Sequence, residues 1–194
     1  MFETAWLDKL SRVHPAVPVV IFVPAIGILA GVALASTAVL NAIALFVGGY
    51  FFWSLTEYWI HRAIFHFEPE DGVGARFHWI IHGVHHDHPN DPLRLVMPPS
   101  VSVPLSSLFV LAFYAVLGSP LFLPFSAGFL GGYLFYDMTH YHLHHHKPKT
   151  WIGSRLRELH MRHHFQDHTT GFGISAPYWD RFFGTFSRVA ERRD

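Results

Sequence analysis

Residues 121–146 read LFLPFSAGFLGGYLFYDMTHYHLHHH, an apolar run that ends in five histidines. Up to Thr139, Asp137 is its one charged residue. A helix crosses a bilayer with about 20 mostly apolar residues. The stretch therefore reads as a span over 121–139 that delivers its histidines to one membrane face.

The pattern repeats outward from there. Residues 95–146 hold no Lys or Arg and one acid, Asp137; residues 13–60 hold no Lys or Arg and one acid, Glu57. Each stretch is long enough for two spans joined by a tight turn. The reading is four spans, at roughly 17–38, 42–60, 101–118 and 121–139, with turns at 36–41 and 118–120. All 14 Lys and Arg fall in 1–12, 61–94 and 147–194. Two membrane hairpins put those three segments on one side, and the positive-inside rule makes that side cytosolic. The expectation is an all-α membrane protein: one domain over 1–194, four transmembrane helices in two hairpins, a cytosolic helical cap and both termini in the cytosol.

Composition narrows the chemistry. The chain has 194 residues, of which 14% are charged, with no net charge and no cysteine. Soluble domains average about 25% charged residues. Zero net charge gives no reason to expect nucleic acid as a partner. The missing cysteines rule out disulfides, thiolate metal sites, iron–sulfur clusters and a cysteine nucleophile. No GxSxG or phosphate-binding GxxxxGK[ST] motif is present. Histidine is the anomaly, at 17 residues.

Those histidines lie at cytosolic span ends and in cytosolic segments. His61 and His66 end the second span; His82, His85 and His86 follow; His140 and His144 end the fourth; His160, His163 and His164 come last. Residues i, i+3 and i+4 share a helix face. The two HxxHH trios and the HxxxH pair can thus aim imidazoles at one point, while an interval of five, as in His61 and His66, lies off-face on an ideal helix. A lone HxxHH occurs by chance; the full set on one side does not fit a packing role. So many imidazoles exceed the four ligands of a tetrahedral ion and suggest two metals, with iron, zinc, copper and nickel all compatible with imidazole. Glu57 and Asp137, one turn before His61 and His140, are placed to accept the second N–H of a ligating histidine. His145 reads as a neighbour of the ligands or as a ligand itself. His14, before Pro15, reads as a loop residue; His78, His88, His142, His146 and His168 read as loop, surface or supporting residues.

Several longer stretches carry a resemblance. They are His82-Gly-Val-His85-His86 with Arg94-Leu-Val-Met-Pro-Pro99, then 132–145, and finally Gly171-Phe-Gly-Ile-Ser with Trp179-Asp-Arg-Phe-Phe-Gly-Thr185. Across roughly 50–186 the chain resembles the fatty acid hydroxylase/sterol desaturase superfamily, in its fatty acid 2-hydroxylase branch. The resemblance implies a dimetal centre with His61, His66, His82, His85, His86, His140, His144, His160, His163 and His164 as ligands. It also implies C2 hydroxylation of a fatty acyl or sphingolipid acyl group by two irons (zinc being the alternative metal), with O2 and two electrons. Eukaryotic relatives often begin with a cytochrome b5 domain, for which the 16 residues before the first span are too few. A separate donor, a ferredoxin or free cytochrome b5, is therefore expected, in a bacterial inner membrane rather than the ER. Rival readings are a carotenoid or sterol hydroxylase or a desaturase on the same framework, and a zinc-binding or zinc-transporting membrane protein. Transporters place ligands near the bilayer midplane, whereas these histidines gather at one face.

Overall fold

The computed structural model describes residues 12–67, 72, 74 and 82–187. Every regular element among them is helical. Helix α1 is Ala16–Ser36; α2 is Val39–Ile60 and runs on into a π-helical turn, His61–Phe65; α3 is Val84–Asp87; α4 is Pro99–Leu117; α5 is Phe122–His145; α6 is Trp151–Phe165; α7 is Tyr178–Phe183. The expected spans match α1, α2 and α4 to within three residues at each end. The fourth runs on past Thr139 to His145, so its histidines lie on the helix rather than in a loop beyond it.

Among the described residues, three helices are long and apolar enough to cross a membrane: α1, α2 with its π turn, and α4. They turn apolar side chains outward, with Leu40 78% and Val116 82% exposed. Helix α5 is not among the three, and its surroundings explain why. It packs against α1, α2 and α4 and buries Ala127, Gly128, Phe129, Gly132, Tyr133, Asp137 and His140. A helix enclosed by others has no need of a continuous lipid-facing surface, and it can carry glycine, tyrosine and an acid.

The α2–α5 contact is backbone against backbone. A Cβ on Gly49 would run into the Phe125 carbonyl, and one on Gly128 into the Phe46 carbonyl. A Cβ on Gly132 would run into the Trp53 side chain. Small residues that let helix backbones meet are the usual means of packing in membranes. Beyond the contact, Trp53, Phe129 and Tyr133 close into an aromatic core with ring centroids 5.2 Å apart.

Gly128→Leu should therefore part α2 from α5. The expected cost is about 3 kcal/mol, the upper range for overpacking, because carbonyls rather than side chains must give way. Thermal unfolding in detergent checks this against Gly131→Ala, whose new methyl would meet only the Phe46 ring tip at 3.6 Å and which should be tolerated.

Candidate metal centre

The ten histidines of the HxxxxH, HxxHH and HxxxH motifs converge in two groups of five. The first is His61, His66, His82, His86 and His163; the second is His85, His140, His144, His160 and His164. Within each group the ligand atoms lie within 4.8 Å of one another. The groups adjoin, the His86 and His164 rings stacking at 4.1 Å.

Local structure explains the grouping and corrects two expectations. His61 and His66 belong to one group although an ideal α-helix separates them. The chain makes a π turn here, with the His66 N–H bonded to the His61 carbonyl at 3.2 Å. That i→i+5 turn brings positions five apart onto one face. The trios, in contrast, do not each serve one point. His82 and His86, at i and i+4, enter the first group, while His85 between them enters the second. His160 and His164 enter the second, and His163 between them enters the first. Adjacent helical residues diverge by about 100°, so each HxxHH lends its outer pair to one centre and its middle histidine to the other.

Hydrogen bonds fix how two rings face inward. The Phe172 carbonyl lies 2.7 Å from His61 Nδ1, and the Thr170 carbonyl 2.6 Å from His163 Nδ1. Carbonyls only accept, so both Nδ1 atoms carry hydrogen and both Nε2 atoms present lone pairs. Those Nε2 atoms stand 3.2 and 2.9 Å from His66 Nε2. In the second group, His144 and His160 approach at 2.7 Å and His85 and His164 at 3.1 Å, Nε2 to Nε2. Two nitrogens bound at about 2.1 Å to one ion stand about 3 Å apart. His140 Nε2 is buried with no hydrogen-bond partner among the described residues. A single proton on His66 Nε2 cannot serve both facing lone pairs, and a cation can serve every nitrogen, so the donor set fits a metal in each group.

Burial, the largest cause, and then the neighbouring imidazoles hold His82, His85 and His160 well below the ordinary histidine range. Burial brings His163 down to about 4, against the opposing pull of its bond to Thr170. Neutral imidazole is the ligating form.

The two acids sit elsewhere than expected. Glu57 accepts from the Ser175 backbone N–H at 2.7 Å and from the Ser175 hydroxyl. Asp137 accepts from the Met97 N–H at 3.3 Å and the Tyr133 hydroxyl at 3.4 Å. Among the described residues neither is bonded to a histidine: they fasten loops. His145 lies outside both groups, half-buried beside Tyr141. His14 Nδ1 accepts from the Ala16 N–H at 3.2 Å, a loop role. His88, His142, His146 and His168 are exposed, and His78 lies outside the described residues. Unforeseen from the sequence are the Thr170 and Phe172 carbonyls and Asp180, which holds the segment that bears them. The available signal was a buried-type acid within the aromatic run Tyr178–Phe183.

A narrow apolar cleft lies between α2, α4 and α5; among the described residues its lining holds no histidine, but two of its residues pack against histidine rings. Leu105, Phe109 and Phe129 line its far part; Glu57, Phe65 and Tyr136 line its near end. There Phe65 stacks on His82 at 4.8 Å and Tyr136 lies 5.8 Å from His140, one contact for each group.

A family profile described as fatty acid hydroxylase matches residues 46–185, which include all ten histidines. The chain belongs to the fatty acid hydroxylase family. It is 38% identical over 186 residues to the ceramide very long chain fatty acid hydroxylase SCS7 of Saccharomyces cerevisiae, covering 93% of this chain and 48% of that protein. To the dihydroceramide fatty acyl 2-hydroxylase FAH2 of Arabidopsis thaliana it is 37% identical, covering 97% and 80%. To the fatty acid 2-hydroxylase of Mus musculus it is 44% identical, covering 74% and 39%. The chain thus spans about half the length of the yeast relative. A solved structure of full-length scs7p, with only the hydroxylase domain visible, superposes with a TM-score of 0.88 at 36% identity, covering 96% of this chain and 71% of that one. The resemblance to the fatty acid 2-hydroxylase branch is borne out. These named relatives are eukaryotic and lend no support to a bacterial membrane.

The grouping predicts a pH dependence for metal-free protein. The folded pKa of His163 lies below the ordinary 6.5, so the unfolded chain takes up protons that the folded chain refuses. Stability present above pH 6.5 should be lost as pH falls toward about 4. Thermal unfolding of chelator-treated protein across that window checks the sign.

Proposed function

We propose that the chain is a membrane-bound monooxygenase that hydroxylates a lipid acyl chain, at C2 of a fatty acid or of a sphingolipid acyl group. The observation that carries this reading is the pair of five-histidine groups beside an apolar cleft, whose lining residues Phe65 and Tyr136 each touch one group. The named relatives are ceramide or fatty acid hydroxylases, which favours an acyl over a sterol or carotenoid substrate.

The ligands in this reading are the ten histidines, five to each ion. Two irons bound there supply dioxygen activation and removal of hydrogen from an unactivated C–H bond, with two electrons from a separate protein of ferredoxin or cytochrome b5 type. Zinc in the same ligands has no redox chemistry. The chain's own residues do the positioning. Leu105, Phe109 and Phe129 hold the acyl tail in a slot too narrow for a hydrated headgroup. Phe65 and Tyr136 flank the point where the reacting carbon meets the histidines, and they keep water away. The His61 and His163 rings are held by backbone carbonyls, so their Nε2 atoms are oriented before any ion arrives.

Helix α5 serves as the fourth span in this reading, enclosed by the other three. The cap of α3, α6 and α7 lies on the cytosolic side, and residues 1–194 act as one domain. The absence of cysteine allows clean single-cysteine labelling. Gly118→Cys and Lys149→Cys should react from opposite sides of the membrane; reaction from the same side would overturn four spans.

His85→Ala and His163→Ala each remove one ligand from a different group. Each should abolish product formation while the protein still inserts in the membrane. Lipid mass spectrometry of cells with and without the gene, with metal analysis of purified protein, tests the whole. New 2-hydroxy acyl species and two irons per chain are expected. Unchanged lipids with full metal content would sink the acyl assignment, and turnover by either variant would sink the ligand set.

A further inference from the structure

Asp180 is buried, 1% exposed, and lies on α7 away from both histidine groups. Its carboxylate is fully engaged. Oδ1 accepts from the Phe172 N–H and Oδ2 from the Gly173 N–H, each at 2.8 Å. The Thr185 hydroxyl donates to Oδ1 at 2.8 Å. That commitment makes Thr185 Oγ1 the acceptor from Tyr58 OH at 2.9 Å, and Arg62 donates to the Tyr58 oxygen at 2.8 Å. Donors thus run in one direction, from a guanidinium through two hydroxyls to a carboxylate.

The next link reaches the candidate metal. The Gly173 N–H and the Phe172 carbonyl belong to the same peptide unit. Its N–H faces Asp180 Oδ2, and its carbonyl accepts from His61 Nδ1 at 2.7 Å. An amide whose N–H meets a carboxylate is polarised, and its carbonyl becomes a stronger acceptor. Histidine ligands are oriented and made more basic when the second nitrogen donates to a carboxylate or carbonyl. Here the carboxylate acts through one intervening amide. The Thr170 carbonyl, acceptor for His163, shares a peptide with the Gly171 N–H, which donates to the Thr185 carbonyl at 3.0 Å.

We infer that Asp180 is a positioning residue for the metal of the His61 group, acting through the Phe172–Gly173 peptide on His61, and that Thr185 holds its carboxylate in register. The inference rests on the two-metal reading above. It assigns Asp180 no contact with substrate or metal.

The test uses the full chain in detergent, loaded with Zn2+ and titrated with a competing chelator, so no turnover is needed. Wild type should hold two zinc ions. Asp180→Asn keeps the shape and removes the charge, and it should release one ion about 10-fold more readily, the low end for loss of an outer partner. The other ion should be unaffected. In a His61→Ala background, Asp180→Asn should add nothing, because the cycle removes the group through which it acts. Should Asp180→Asn fail to accumulate in the membrane, the near-isosteric Thr185→Val carries the test, with a smaller loss at the same single ion. Equal weakening of both ions, weakening of neither, or an additive effect in the His61→Ala background would overturn the inference. Wild type holding fewer than two ions would instead bring down the dimetal reading, and this one with it.

Discussion

Where Gly49 meets the Phe125 carbonyl and Gly128 meets the Phe46 carbonyl, no side chain separates α2 from α5. Twelve residues lead from Gly49 to His61, and twelve from Gly128 to His140. At about 1.5 Å per residue, both helices rise about 18 Å beyond the contact before presenting a histidine. Trp53 against Gly132 keeps the same register one turn further on. The glycine contact thus sets the level and the separation at which the two parent helices deliver His61 and His66 on one side and His140 and His144 on the other. The short α3, with His82 just before it, and the longer α6 then bridge the two deliveries, each stretch giving a pair of histidines to one side and a single one to the other.

Seven of the ten imidazoles are buried, and burying so many together is tolerable only if they stay neutral. Burial and mutual repulsion both push in that direction, as the lowered values for His82, His85 and His160 show. A neutral, dry and convergent donor set is a poor hydrogen-bond network and a good metal site. Without an ion, the close Nε2 pairs compete for too few protons. With one, each lone pair has a partner.

Much of this was legible in the sequence, and the remainder was not for identifiable reasons. Spans appear in composition because lipid excludes Lys and Arg over long stretches. The ten histidines appear because their spacing is helical and their number excessive. Their division between two centres does not appear, because i, i+3 and i+4 look like one face until the divergence of His85 from His86 is placed between two targets. The pairing of His61 with His66 depends on a π turn, for which the sequence carries no simple mark. The bond from Asp180 is the hardest to foresee: it reaches a histidine through a backbone amide, and backbone has no letter of its own. Glu57 and Asp137 were the natural candidates by proximity in sequence, and distance along a helix misled there.

What those two acids do instead completes the architecture. Each lies about one turn before the first histidine of its helix, Glu57 before His61 and Asp137 before His140. Each catches the backbone N–H of a covering loop, Ser175 for Glu57 and Met97 for Asp137. A buried carboxylate in an apolar bundle is costly unless it is hydrogen-bonded, so each loop is held at a defined place by the need to satisfy its acid. One of those loops carries Phe172, whose carbonyl orients His61; the other carries Met97, which lines the cleft beside Glu57. The acids therefore couple the wall of the cleft to the orientation of the histidines. A shift in the loop that carries Phe172 would be felt by His61 and, through Glu57, at the wall of the cleft.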